Sequence, residues 1–204
     1  MKSNVCKIEK GNRDLAAILK ESERVAAYNG LSHKQTLQLR LLCEELDGML
    51  PYIIDEFEGD LWIECEKGVC KVNVSIKIPD FNAGKKEELI DIAKNKKNAA
   101  AVGIVGKIRN AIEDFFLNEE ALGAFDVAPG MFHLATGYSE GIDYSYLWTL
   151  EQYRCTVKQE EHEDEWDELE KSVIASVADD VIVGIKGKQA DIVIVKNFKK
   201  GEKE

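Results

Sequence analysis

Proline and histidine are scarce in this chain of 204 residues, with three of each, and its five cysteines are an odd number. No apolar run approaches the ~20 residues that a membrane-spanning helix needs. So few prolines leave long periodic segments uninterrupted. The histidines, His33, His133 and His162, are dispersed without the spacing of a metal site. Cys6, Cys43, Cys65, Cys70 and Cys155 are equally scattered, and a chain this long buries a core without disulfide staples, so reduced thiols are expected. Basic groups are also in deficit: 27 Lys and Arg against 38 Asp and Glu leave a net charge of -11. A surface of that sign repels a phosphate backbone and argues against a nucleic-acid partner. The opening stretch MKSNVCKIEKGNRD has no apolar core of signal-peptide length, and a cytoplasmic protein that neither spans nor binds a membrane is expected.

What remains is 45% hydrophobic and 32% charged, the make-up of a compact domain, and residues 1–204 are expected to form a single one. An edge strand is expected near Val5 to Ile8. A helix from Arg13 to Asn29 stops at Gly30. Ser32-His-Lys-Gln35 is a capping box that opens a second helix. Its core stripe is Leu39, Leu42, Cys43, Leu46, Leu50 and Ile53, with Gly48 and Pro51 expected to kink or shorten its end. After Gly59 the period turns to two. Leu61, Ile63 and Cys65 face Cys70, Val72 and Val74 across a turn at Lys67-Gly68, which makes a hairpin with one buried face. The two cysteines face each other there and are read as small buried hydrophobes.

A lysine-rich stretch then leads to a helix from Ala99 to Leu117 with Ile104, Ile108, Ala111, Ile112 and Phe115 inward. Residues 118–145 show no resolvable pattern. Beyond them are expected a strand from Tyr146 to Val157, a helix from about Asp164 to Val177 with Trp166, Leu169, Val173 and Val177 inward, and a hairpin from Asp180 to Phe198 turning near Lys186-Gly-Lys188. The acidic run Glu160 to Glu165 reads as a solvated connection.

Several residues carry chemistry on their own account. Glu44, Glu45 and Asp47 interrupt the apolar stripe of the second helix at about 100° per residue, so they cannot share one outer face. They are either a solvated edge or a carboxylate at the rim of a pocket between helix and sheet. Pro79-Asp80-Phe-Asn82 is a turn after a strand. Gly103-Ile-Val-Gly106-Lys107, preceded by Lys94, Lys96, Lys97 and Asn98, puts glycines and positive charge near a helix start, where free amides attract phosphate. Gly137-Tyr-Ser139-Glu-Gly141 has the letters of a hydrolase nucleophile elbow, but an extended stretch follows it rather than a helix.

The order helix, helix ending in apolar-Glu-Glu-apolar, hairpin, lysine-rich loop and glycine-containing helix start resembles the ATP-binding domain of the GHKL superfamily. More narrowly, Leu42 to Met49, Phe57 to Glu64, Lys97 to Ile108 and Trp166 to Lys171 are similar to small bacterial ATP-binding proteins related to the anti-sigma-factor serine kinases. The resemblance covers about residues 1–115 by element order. It implies an α+β fold, a two-layer α/β sandwich of the GHKL (Bergerat) type, with a mixed, mostly antiparallel sheet, helices on one face and a C-terminal strand-helix-hairpin extension at about 146–198. It also implies ATP or ADP as ligand, with Asp80 accepting the adenine amino group beside Asn82 and Gly84. Lys97, Asn98, Gly103, Gly106 and Lys107 would then lie at the phosphates. Glu45 falls on the superfamily's catalytic Glu.

Four residues on, where active members carry an Asn that holds Mg²⁺, stands Met49, whose thioether is a poor ligand for a hard cation. The resemblance therefore implies a degenerate ATP-binding or ATP-binding-like regulatory protein acting through a protein partner, without efficient catalysis. Its alternatives are an active serine kinase using Glu45 as base, with Asp47 among the Mg²⁺ ligands, and a pure interaction module with a collapsed pocket. Acidity does not forbid a symmetric homodimer.

Overall fold

The computed structural model describes residues 1–54, 56–78, 104–117, 146–159 and 172–201. Strand β1 (Cys6–Glu9) turns into the two-residue β2 (Asn12–Arg13), followed by helices α1 (Leu15–Tyr28) and α2 (His33–Ile53). The hairpin β3 (Glu58–Glu66) and β4 (Val69–Lys77) comes next, then α3 (Ile104–Leu117), β5 (Tyr146–Thr149), α4 (Leu150–Gln159) and α5 (Val173–Val177). The hairpin β6 (Asp180–Lys186) and β7 (Gln189–Asn197) and a 3-10 turn at Phe198–Gly201 complete it. The seven strands form one sheet in the order β2-β1-β3-β4-β7-β6-β5. Every pairing is antiparallel, so the mixed sheet expected from the resemblance is corrected among the described residues.

Alternation divides the sheet into two faces. Ile8, Leu61, Val72, Val74, Val183 and Ile192 join the helices in the main core. The opposite face holds a small separate cluster of Ile182 and Val193, with Leu147 and Val195 against it. The architecture is thus α+β, with the described helices layered on one side of an antiparallel sheet.

Local chemistry accounts for the elements. The capping box is present at α2: Ser32 Oγ accepts from the Gln35 amide and the Gln35 side chain accepts from the Ser32 amide. The whole predicted stripe from Leu39 to Ile53 is buried. Lys67 and Gly68, at φ 51 and 81, form the left-handed two-residue turn that matches strand twist. Their hairpin keeps Leu61 opposite Val74 and Cys65 opposite Cys70. The stripe of α3 is inward as well, from Ile104 to Phe115; residues 99–103 of that expected helix lie outside the described ones.

Five further expectations are corrected. The strand near the N-terminus is not the edge, because β2 pairs outside it. Neither Gly48 nor Pro51 shortens α2, which runs on to Ile53. Proline removes the amide that would serve the Asp47 carbonyl four residues back, and Arg13 Nη1 of β2 donates to that carbonyl instead. The stretch from Tyr146 to Val157 is a strand only to Thr149, whose Oγ1 accepts from the Gln152 amide at 3.1 Å and caps α4. In α5, Val177 packs against the core as expected, but Val173 is exposed and Ile174 and Ala175 are buried instead. Trp166, Leu169, the acidic run and the Gly137–Gly141 motif fall outside the described residues. Finally, Cys65 and Cys70 are not reduced thiols but a disulfide, because the tight turn sets them directly opposite with Cα atoms 4.1 Å apart. Cys6, Cys43 and Cys155 are free.

Candidate functional site

The α2 segment from Glu44 to Met49 presents each acid differently. Glu44 points outward and pairs with Arg40 one turn earlier at 3.8 Å. Glu45 is half-buried at the edge of the core stripe. Asp47 is buried, with its Oδ2 3.5 Å from Arg13 Nη1 and its Oδ1 enclosed without a hydrogen-bond partner. Burial raises its carboxyl above the usual range, and the Arg13 charge opposes that rise. Met49 is 4% exposed and part of the main core, whereas Gly48 faces open space. A helix turns 100° per residue, so an inward Met49 follows from the same stripe that buries Leu42, Leu46 and Leu50.

The described part of α3 begins at Ile104, with Gly106 buried and Lys107 half-buried close after it. The Lys107 ammonium lies 5.0 Å from the centroid of the Tyr153 ring of α4, a cation–π contact. Tyr153 in turn leans on Trp148, with ring centroids 6.1 Å apart. Arg109 bonds Glu113 one turn on at 2.6 Å and donates to the Tyr52 carbonyl at 3.4 Å, joining α3 to the last turn of α2. Tyr52 is two helical turns beyond Glu45, about 10 Å along the axis. Of the residues proposed for nucleotide, Asp80, Asn82, Gly84, Lys97, Asn98 and Gly103 lie outside the described residues. Glu45, Gly106 and Lys107 are placed, on neighbouring helices.

Two clefts open at the far end of the sheet. One, of about 440 Å³, is lined by Lys7, Asp60, Ser75, Lys77 and Gln189 among others, and the second, of about 520 Å³, by Lys10, Glu56, Phe57 and Lys188 among others. Neither is lined by Glu45, Gly106 or Lys107. Two of their lysines are paired, Lys7 with Asp60 at 2.7 Å and Lys10 with Glu56 at 3.0 Å. Among the described residues, no group of three or more His, Cys, Asp and Glu is placed to hold a metal ion. No described helix is long and apolar enough to cross a membrane.

Sequence reasoning singled out Glu45 and Asp47 as flanking acids but missed Arg13, the partner of Asp47. The signal was Pro51: a proline in the last turn of a helix leaves a carbonyl free, and a buried carbonyl needs a donor. No family model matches this chain, and neither does any curated protein or solved structure.

Proposed function

We propose that this chain is a degenerate ATP-binding or ATP-binding-like regulatory protein that acts through a protein partner and does not transfer phosphate efficiently. The observation that carries the second half is the side-chain set of α2. Phosphoryl transfer relies on a hard cation to neutralise charge as the bond breaks. Four residues past Glu45, Met49 offers a thioether and is folded into the core. Asp47, the oxygen donor that an active kinase would need instead, is held by Arg13. The residues at hand therefore do not fit Mg²⁺ at this helix.

The binding half rests on Gly106 and Lys107, at the start of the described part of α3 and packed beside α2, and on the Asp80, Asn82, Gly84, Lys97, Asn98 and Gly103 order. On this reading Asp80 accepts from the adenine amino group and the α3 end receives phosphate. Any affinity is then nearly independent of Mg²⁺. Calorimetric titration with ATP and ADP, paired with thermal melting, tests it: a ligand that binds only the folded state raises the melting temperature. No heat and no thermal shift at millimolar nucleotide would leave the interaction module with a collapsed pocket. Binding with steady phosphate release, abolished in Glu45→Gln, would favour the active kinase.

A further inference from the structure

We propose that the Cys65–Cys70 pair is a reversible thiol–disulfide switch that sets how firmly the tip of the β3–β4 hairpin holds the chain segments docked on it. The proposal does not depend on nucleotide binding. The turn at Lys67-Gly68 closes the hairpin, and one rung inside it the two cysteines oppose each other with their sulfurs bonded. The backbone of Cys65 points away from Cys70. Its amide donates to the Met1 carbonyl at 2.8 Å, and its carbonyl accepts from the Met1 nitrogen at 2.6 Å. In an antiparallel pair, a residue whose amide and carbonyl both turn outward makes no cross-strand hydrogen bond with its opposite number. At this rung, therefore, the sulfur bond is the tie between β3 and β4.

The same tip is gripped from both sides. Ser3 donates from its amide to the Ile63 carbonyl at 2.8 Å, and its Oγ accepts from the Ile63 amide at 2.8 Å. On the other side the Phe198 amide donates to the Gly68 carbonyl at 2.8 Å, and the Lys199 side chain lies over Gly68. Both sulfurs face the helix layer and each cysteine is 1% exposed, so a thiol reaches them only when the tip opens. Such opening has to release the hydrogen bonds from Met1, Ser3 and Phe198 at the tip, a local event rather than global unfolding. A loop this short restrains the unfolded chain little compared with a long one, so the bond acts on the tip rather than on the whole domain.

The chemistry is two-step exchange with a small thiol of the glutathione class. A thiolate attacks one sulfur, forming a mixed disulfide and releasing the other cysteine as a thiolate that takes up a proton. A second thiol then displaces the first cysteine. The cystine gains two electrons and two protons, and the two small thiols leave as one disulfide. Reversal uses the small disulfide as oxidant.

The test equilibrates the wild-type protein in glutathione buffers from fully oxidised to fully reduced, quenches with acid, denatures, alkylates with iodoacetamide and maps peptides by mass. The expected result is three alkylated cysteines, Cys6, Cys43 and Cys155, at the oxidised end and all five at the reduced end. Cys65 and Cys70 should change together within the range glutathione covers. Hydrogen exchange on the two end states should show peptides holding the Ser3, Cys65 and Phe198 amides exchanging several-fold faster after reduction, while α2 is unchanged. Five alkylated cysteines at every ratio would overturn the proposal, since the bond would not form. Three at every ratio would overturn it as well, leaving an inert staple, and so would identical exchange in both states. In Cys65→Ser/Cys70→Ser the exchange should match reduced wild type whatever the buffer. A failure of that variant to fold leaves the wild-type readings decisive.

Discussion

Arg13 supplies the hydrogen bond that the Asp47 carbonyl loses to Pro51, and the same guanidinium faces the Asp47 carboxylate at 3.5 Å. One side chain of β2 therefore serves two oxygens of Asp47 in α2. Arg13→Gln should strip both and cost about 1–3 kcal/mol, the scale of buried acceptors left unpaired. In a Pro51→Ala background the helix regains an amide for that carbonyl, so the loss should shrink. Urea denaturation of the two single variants and the double variant reads the coupling as non-additivity; strictly additive losses would disprove it.

Stability should depend on pH through Asp47. Burial, the leading cause, lifts its folded carboxyl above the ordinary carboxylate range. The folded chain thus binds this proton more tightly than the unfolded chain does. The contribution is fully present below about pH 3.9, the unfolded value, and is lost as pH rises through the raised folded value. Asp180 shifts in the same direction from the same leading cause, so the assignment needs a variant. Asp47→Asn should flatten part of the decline in urea midpoint as pH rises above about 3.9, the unfolded value; a profile parallel to wild type would count against it.

Gly59 should tolerate no side chain. A Cβ there would lie 2.1 Å from the Ser75 carbonyl oxygen and 2.9 Å from the Ile76 Cα, backbone atoms of β4 that cannot move without parting the hairpin. Gly59→Ala should cost about 1–3 kcal/mol, as overpacking does, with a matching fall in the denaturation midpoint. Gly48→Ala, where a Cβ meets nothing within 4 Å, is the control and should leave stability equal or raised.

Met49→Asn should act twice. An amide in the core position of Met49 costs about 1–3 kcal/mol unless it finds partners, and an oxygen there should make nucleotide affinity respond to Mg²⁺. Chelation that abolishes binding to the wild type would show that another residue holds the metal. Asp80→Asn should weaken adenine nucleotides by ~1–3 kcal/mol. Glu45→Gln should barely change affinity, since a catalytic carboxylate acts on the transition state. Equal and negligible effects of these two on a nucleotide that does bind would place the ligand elsewhere.

The legible parts were those whose cause is local. Ser32 and Gln35 lie three residues apart, Lys67-Gly68 is a turn in its own letters, and the stripe from Leu39 to Ile53 repeats at helical spacing. Thr149-Leu-Glu-Gln152 is also a local cap, but the apolar alternation before it carried the strand reading too far. What could not be read depends on residues distant in sequence. The role of Pro51 emerges only once Arg13 is beside it, and the opposition of Cys65 and Cys70 was visible without the bond. At the candidate site, the mismatch at Met49 was legible and its burial followed from the stripe, while the neutralisation of Asp47 was not.

The β4–β7 pairing runs for nine residues, from Val69↔Asn197 to Lys77↔Gln189, and it is the seam between the second strands of the β3–β4 and β6–β7 hairpins, which are far apart in sequence. Loops that long close slowly. A ribosome releases β4 well before β7, so during synthesis the emerging chain carries β4 as a bare edge with Cys70, Val72, Val74 and Ile76 along it. Such an edge is a template for pairing with other chains. Nascent chains halted before Gln189 should therefore depend on chaperones and precipitate without them, whereas release of the last hairpin caps the edge in one step.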